Sequence, residues 1–338
     1  MSTLKGFGVP PTSDTGVPGV EVHIDWLQGS FPLRALPDIK DLVETMTGFP
    51  FPDETEGSRW YKTCWVNFAG AFIGTEPRTS HSDRCMLSLP AKTLAGLPVF
   101  SQKKIINALA ALEFKCTRID PSIDDFTKAI SPDLVRQTVE VGNQKGFSSN
   151  PYTEWISSGE VGSEMSNSYY IGRRGKSGSG KMVRCYTKYL ESKGEIDSIR
   201  FEVEMSQEYA STLFSSLAST PTSLWSRVLL ASITGAIDFI DRTFSPKLYE
   251  CPRLDWWEKI VGDDASIKIS KPRKLKSITK SINWINKQVL PTLSIVLDYA
   301  VAMKRDVELY FWELYFSGVE RQTDFQKQML FQSLSLET

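Results

Sequence analysis

The sequence predicts an α+β fold: a largely antiparallel sheet with helices packed on one face, followed by a mostly helical C-terminal region. Two observations carry this. Up to residue 206, short runs of alternating apolar and polar residues are separated by turn residues, the pattern of hairpin-linked strands. After "STPTS" (219–223) the apolar period lengthens to that of helices. The expected organisation is an N-terminal arm over 1–20, an α+β domain over 21–218 and a helical region over 219–338.

The arm is expected to carry no apolar h-region and reads as flexible. "EVHIDWLQGS" (21–30) alternates as a first strand, and "RWYKTCWVNFAGAFIG" (59–74) and "DRCMLSLP" (83–90) are further strands. "SQKKIINALAALE" (101–113) is helical, with Ser101 as N-cap and Ile105, Ile106, Leu109 and Leu112 on one face. "FKCTRIDPSIDDF" (114–126) is a strand with a polar alternate face. Residues 131–144 open with Ser-Pro-Asp, a helix start. A Gly/Ser-rich connection (146–167) leads to a hairpin, "SYYIGR" and "KMVRCYTKY" joined by "RGKSGSG". "DSIRFEVEMS" (197–206) is the cleanest strand in the chain. Helical patterns follow over 224–242, 253–261, 273–299 and 301–317, with Pro291 expected to start, stop or kink a helix.

Composition narrows the chemistry. The 338 residues carry 39 Lys+Arg against 40 Asp+Glu, so bulk charge offers a polyanion no steering, and basic residues would have to be gathered on one surface. The five cysteines are scattered without a C-x-x-C pair, which argues against a disulfide framework or zinc site and fits a reducing cytoplasm. The longest apolar runs are broken by Pro or Asp, so no membrane span is expected. With only His23 and His81, no His-x-His metal motif exists. A metal site must lean on carboxylates, which favours Mg²⁺ or Mn²⁺.

Gly175-x-x-x-x-Gly180-Lys181 matches the start of a nucleotide-binding P-loop. Two requirements fail. Met182 stands where the metal-binding hydroxyl belongs, and "MVRCYTKY" has a strand period where a helix should begin. An NTPase is therefore the weakest reading. The segment reads instead as a hairpin tip. It is either simply solvated, or it lays Arg173, Arg174, Lys176 and Lys181 against a nucleic-acid backbone.

Three strands share one arrangement: Arg118-x-Asp120, Arg184-x-Tyr186 and Arg200-x-Glu202. Residues two apart on a strand point to one face. If the three strands are neighbours, that face collects arginines, carboxylates, a tyrosine and Lys188, with Asp124 and Asp125 at its acidic end. The plain alternative is a wet sheet face with cross-strand ion pairs. Against it, "RIDPSIDDF" places three Asp in six residues of a strand, where Asp is disfavoured and repels its own kind. Asp120 and Glu202 form the first candidate cation pair, with Asp124 or Asp125 further out. Such a face suits phosphodiester transfer: a side-chain oxygen attacks a phosphate polarised by a divalent cation. Tyr186 is the candidate nucleophile, and Tyr169, Tyr170 and Tyr189 are competitors.

At these residues the sequence resembles the replication initiation factors of rolling-circle plasmids and filamentous phages, the Rep_trans group. "TRIDPSIDDF" is similar to the family's acidic strand, "YYIGRRGKSGSGKMVRCYTKYLESKG" to its tyrosine block and "IRFEVEMS" to its Arg-x-Glu strand. "HIDWLQGSF", "LDWWEKIV" and "KQVLPTLSIVLDYA" are weaker matches. The resemblance implies a nickase-like catalytic domain over 21–218. It implies metal-dependent nicking and joining of one strand at a replication origin, through a 5′-phosphotyrosine that leaves a 3′-OH primer. Tyr186 would then be the nucleophile. Asp120, Glu202 and Asp124 would hold Mg²⁺ or Mn²⁺, and Arg184, Lys188 and Arg200 would stabilise phosphate charge. Arg173 and Thr187 depart from the family pattern, which has Ser at the first and Asp or Asn at the second. Implied partners are origin DNA, duplex and hairpin or single-stranded, together with the host helicase and polymerase, and a second copy of the chain. The helical region would bind the origin or dimerise, with Lys271, Arg273, Lys274 and Lys276 on the DNA. The competing expectation is a non-catalytic DNA-binding regulator on the same scaffold.

Overall fold

The first strand is flanked on both sides and anchors the sheet. In the computed structural model β1 (Val20–Pro32) pairs antiparallel with β4 (Arg84–Leu89) on one edge and β5 (Lys115–Asp125) on the other. The described residues are 17–322, apart from 53–56, 59, 79–82, 95–96, 98, 149, 159–165, 175–179, 193–195, 263–281 and 283–284. Beyond β4 lie β3 (Phe72–Pro77) and β2 (Tyr61–Val66). Beyond β5 lie β10 (Ile199–Ser206), β9 (Lys181–Thr187), β8 (Ser166–Ile171) and β7 (Thr153–Ser158). The nine strands run in the order β2-β3-β4-β1-β5-β10-β9-β8-β7, with antiparallel neighbours throughout. The expected α+β class with a largely antiparallel sheet is what the chain adopts.

Alternation decides which side is covered. Leu27, Phe31, Ile73, Leu87, Ile119, Ile123, Val183, Phe201 and Val203 are all fully or nearly fully buried and meet one helical layer. That layer contains α1 (Leu36–Thr47), α2 (Ala91–Leu94), α3 (Val99–Ala111) and α4 (Pro132–Glu140). After the short helix α5 (Lys188–Glu191) it continues with α6 (Glu208–Ser219) and α7 (Trp225–Ala236). Lys103 of α3 ties the layer together by donating to the carbonyls of Leu217, Ala218 and Thr220 at 2.6, 2.9 and 2.7 Å, where the α6 dipole is negative. A short sheet of β6 (Gln144–Lys145) and β11 (Asp238–Phe239), with α8 (Asp255–Val261), closes this side.

Two shifts in register interrupt the β1–β5 ladder. The first, between Ile24 and Trp26, inserts one extra residue and re-aims the side chains there. At the second, Gly29 lets the backbones close up: a Cβ there would come within 2.4 Å of the Lys115 carbonyl.

Compact units fall at Met1–Lys271 and Pro272–Thr338, later than the expected boundary at 219. The "STPTS" break is a turn inside the helical layer. Thr220 leaves helical space (φ −97°, ψ 139°) and the chain resumes in α7, whose Trp225, Leu229 and Ile233 are buried with Leu213 and Leu217 of α6. Within the second unit, a π-helix (Ile285–Val289) runs into α9 (Leu290–Ala302), with Pro291 in its first turn. α10 (Val307–Glu320) follows, capped by Asp306 accepting from the Leu309 amide at 3.0 Å. Among the described residues, no helix is long and apolar enough to cross a membrane.

Three further differences have plain causes. Residues 59–74 form most of a hairpin instead of one strand, because Asn67 to Ala71 close a turn. β7 lies inside the Gly/Ser-rich connection. α1 and α6 were not assigned from the sequence, although Ile39, Val43 and Met46 in the first and Ala210, Leu213, Phe214 and Leu217 in the second recur at helical spacing.

Lys181 was expected on the hairpin surface, facing DNA. It is buried instead. Its ammonium donates to the carbonyls of Gly146 and Ala236 and lies 4.5 Å from the Phe147 ring centre, joining β9 to the chain before β7 and to the end of α7. Replacing it with Met leaves two inward carbonyls without that donor. Lys181→Met should destabilise the fold by about 1.5–3 kcal/mol, the range for hydrogen bonds to a charged group. Urea unfolding would register this, while DNA affinity measured well below the transition stays unchanged.

Candidate active site

β5, β10 and β9 are adjacent, so the three Arg-x pairs do share a face. Arg200 pairs with both Asp124 and Tyr186, and Glu202 pairs with both Ser122 and Arg184. Their alternate neighbours Ile123, Phe201, Val203, Val183 and Cys185 turn to the helical layer. The face opposite the helices therefore carries Arg118, Asp120, Asp124, Arg184, Tyr186, Arg200, Glu202 and Glu204. Most of these groups are buried nonetheless: Asp120 and Glu202 are 0% exposed and Arg200 2%.

Burial on this scale demands that each charge find a partner. Two linked groups result. In the first, Arg118 holds Asp120 at 3.0 Å and reaches Glu204 at 3.1 Å. Arg174 adds a second contact to Glu204 at 2.6 Å. Arg184 pairs with Glu202 and lies 3.9 Å from Asp120. In the second, Arg200 donates to Asp124 at 2.6 and 2.5 Å and also pairs with Asp25. Lys188, at the start of α5, lies 3.8 Å from Asp124. Tyr186 stands between the groups, and its hydroxyl donates to Glu202 Oε2 at 3.2 Å.

The first strand contributes more than sequence reading assigned to it. The bulge after Ile24 brings Asp25 and Trp26 both onto the polar side. Asp25 meets Arg200, and the Arg118 guanidinium lies 4.5 Å from the Trp26 ring centre. Strict alternation in "HIDW" puts His23 and Asp25 on one face, which was a usable signal. The same alternation places Trp26 opposite, and only the bulge corrects it. Glu204 also went unassigned, although it shares the face of Arg200 and Glu202.

His23 Nε2 lies 3.0 Å from Arg200 Nη2. A guanidinium only donates, so Nε2 accepts and the ring is neutral. Burial drives the same way and outweighs Asp124, 3.6 Å away, holding the imidazole near a pKa of about 4. Burial raises Asp120 to about 6 against the pull of Arg118, and raises Glu202 above the carboxylate range against the pull of Arg184. Burial would also raise Asp124, but Arg200 overcomes it and keeps that carboxylate ionised below its usual range.

Other expected residues sit elsewhere. Asp125 turns away and caps a turn, accepting from the Thr127 and Ile130 amides at 2.8 Å each. Tyr169 is buried against Trp155, Tyr170 faces the polar side opposite Arg184, and Tyr189 lies in α5. Arg173 stacks 3.8 Å from the Tyr152 ring centre. Lys176, Lys271, Arg273, Lys274 and Lys276 lie outside the described residues.

The replication initiation factor family matches residues 114–308, more than half of the sequence and including β5, β9 and β10. The chain belongs to that family. Its fold is similar to that of a rolling circle replication initiator protein from Geobacillus stearothermophilus: the TM-score is 0.56 at 17% identity, over 75% of this chain and 99% of the other. No curated protein matches the sequence significantly.

The neutral His23 gives a pH test. In the unfolded chain its pKa is near 6.5, against about 4 folded. Between these values the unfolded chain binds the extra proton. The His23 contribution is therefore present above pH 6.5 and is lost as pH falls towards 4. Unfolding midpoints should fall more steeply with acid in the wild type than in His23→Gln, by up to roughly 3 kcal/mol. Parallel curves would contradict a buried neutral imidazole.

Proposed function

We propose that this chain initiates rolling-circle replication by nicking one DNA strand at an origin, with Tyr186 as nucleophile. The observation that carries this reading is the Tyr186 hydroxyl donating to Glu202 on a face where Arg184, Arg200 and Lys188 converge. Phenol attack on the scissile phosphorus forms the phosphotyrosyl bond. The P–O3′ bond breaks and the 3′ oxygen leaves with a proton as the primer hydroxyl. Glu202 is placed to take the phenol proton, and the three cations face the charge that builds on the phosphate. Because a phosphotyrosine conserves the energy of the broken diester, the reverse step rejoins the ends.

Family membership implies a divalent cation. The carboxylate oxygens of Asp120 and Glu202 suit Mg²⁺ or Mn²⁺ in donor chemistry, and both are buried where positive charge relieves repulsion. Among the described residues no three His, Cys, Asp or Glu side chains are grouped to hold an ion. Arg184 bridges the pair, and Asp124 is engaged by Arg200. Asp120 and Glu202 would hold the cation, with Asp124 outside them. When bound, it would polarise the scissile phosphate.

Exposed Arg173 and Arg174 would touch the DNA backbone beside the site, and the basic run of 268–280 the origin duplex. A homodimer, the host helicase and polymerase, and a cytoplasmic setting complete the proposal.

The internal ion pairing of the face also favours a second reading, a DNA-binding regulator with no chemistry. A supercoiled plasmid carrying the cognate origin separates the two. With Mn²⁺, wild type should give nicked DNA with protein linked to the 5′ end, and Tyr186→Phe neither. Equal nicking by both would remove Tyr186 from the role, and binding without nicking by either would leave the regulator. Glu202→Gln should lower the rate by on the order of 10²-fold or more. EDTA should abolish nicking and leave DNA binding intact.

A further inference from the structure

The turn joining β2 to β3 holds an aromatic ring out in solvent on a rigid support. Phe68, at its tip, is 76% exposed. Its ring packs against Phe49, just past the end of α1 and itself 40% exposed, with centroids 5.2 Å apart. The turn is fixed from within. The buried Asn67 side chain accepts from the Ala71 amide at 3.0 Å and donates to Thr47 Oγ1 and the Phe49 carbonyl at 3.3 and 3.2 Å. Gly70, at φ +88°, donates back to the Asn67 carbonyl at 2.9 Å. From α2, Lys92 and Thr93 bond the carbonyls of Phe68 and Ala69, each at 2.9 Å.

A loop this well anchored has no need of a large apolar residue at its apex for its own stability. The surroundings indicate what the rings are for. The exposed Lys92 ammonium lies 5.1 Å from the Phe68 ring centre. Flat rings beside a cation match a nucleic-acid strand, which presents base faces for stacking and phosphates for the ammonium group. Along the strand direction the turn is level with Asp120, four residues from the level of Asp124 and Tyr186, and it is anchored by α1 and α2 of the helical layer. Leu27 faces both Ile119 and Leu89, and Phe72 faces Ser88, which places the turn beside the Asp120 end of β5. From β9 to β3 is five strand spacings, about 24 Å at about 4.8 Å each.

We propose that Phe68 and Phe49 form a stacking platform for the bases of single-stranded DNA, on the flank of the sheet opposite β7. The choice of ligand rests on the reading of this chain as a DNA-nicking enzyme; the stacking itself requires no chemistry. Single-stranded DNA held at Tyr186 would be gripped a second time here, which keeps the scissile phosphate in register.

The test is fluorescence anisotropy of the full chain with a labelled oligothymidylate of about 20 nucleotides, longer than the sites such folds cover. Stacking tolerates any base, so no origin sequence is needed. Phe68→Ala should weaken binding about 10-fold, within the range for loss of one stacked base. Phe68→Trp should restore it, and thermal stability should not change because the ring is exposed. Wild-type affinity in Phe68→Ala overturns the proposal and leaves the patch to a protein partner. So does equal weakening by Ala and Trp accompanied by a lower melting temperature. Phe244→Ala, which removes an exposed ring outside both this turn and the candidate site, should bind as wild type does when measured alongside. Nicking is read separately on the origin plasmid, so its failure leaves this result standing, and failure of stacking leaves the nicking reading standing.

Discussion

A buried sheet face made of charges persists only if each charge is answered, and Arg200 is where that requirement is met most fully. Its guanidinium is shared among Asp124, Asp25 and His23, drawn from β5 and β1 on the far side of the ladder from its tyrosine neighbour. Removing one partner from such a set leaves another charge buried and uncompensated, which costs more than the pair contributes. The arrangement therefore fixes geometry more than it adds stability. It holds three strands in one register, and the register in turn places Tyr186 opposite Arg200 and within reach of Glu202.

That constraint explains which parts of the site could be read from the sequence. Arg118-x-Asp120, Arg184-x-Tyr186 and Arg200-x-Glu202 repeat one spacing on strands, and a shared face follows from period 2 alone. Adjacency of the strands was an assumption, since the hairpin signal joins β8 to β9 and none links β10 to either of its neighbours. The bulge in β1 could not be read at all, because no glycine or proline marks it. It is a local answer to the demand for Asp25 beside Arg200 with Trp26 beneath Arg118. The fold class was legible for the same reason as the face: alternating strands first, helices after. The unit boundary was not, since the Ser, Thr and Pro of "STPTS" mark a turn between two packed helices as readily as a break between units.

The glycine-rich stretch before β9 shows the limits of a motif without its context. Lys181 occupies the position of a phosphate-binding lysine, yet it satisfies two backbone carbonyls of its own chain. An ammonium buried in this way has exchanged water for fixed oxygens, so it cannot also neutralise an external phosphate. Arg173 and Arg174, on the near side of the same tip, are exposed. Arg174 still keeps a bond to Glu204, which makes it a link between the tip and the site rather than a free surface charge.

Asp120 and Glu202 are held by arginine while the proton affinity of both is raised by burial. These facts are compatible because desolvation acts on the carboxylate whatever its partner, and a delocalised guanidinium offsets only part of it. The same pair would respond to any added positive charge by giving up protons. On the proposed reading, a phosphate entering the site would do the opposite: it would draw on Arg184, whose side chain is 23% exposed, and leave Glu202 and Asp120 in need of a cation. Substrate and cation would then bind with mutual reinforcement, each supplying the charge that the other displaces. An internally paired face is, on this view, the resting form of a site whose charges are redistributed only when DNA arrives.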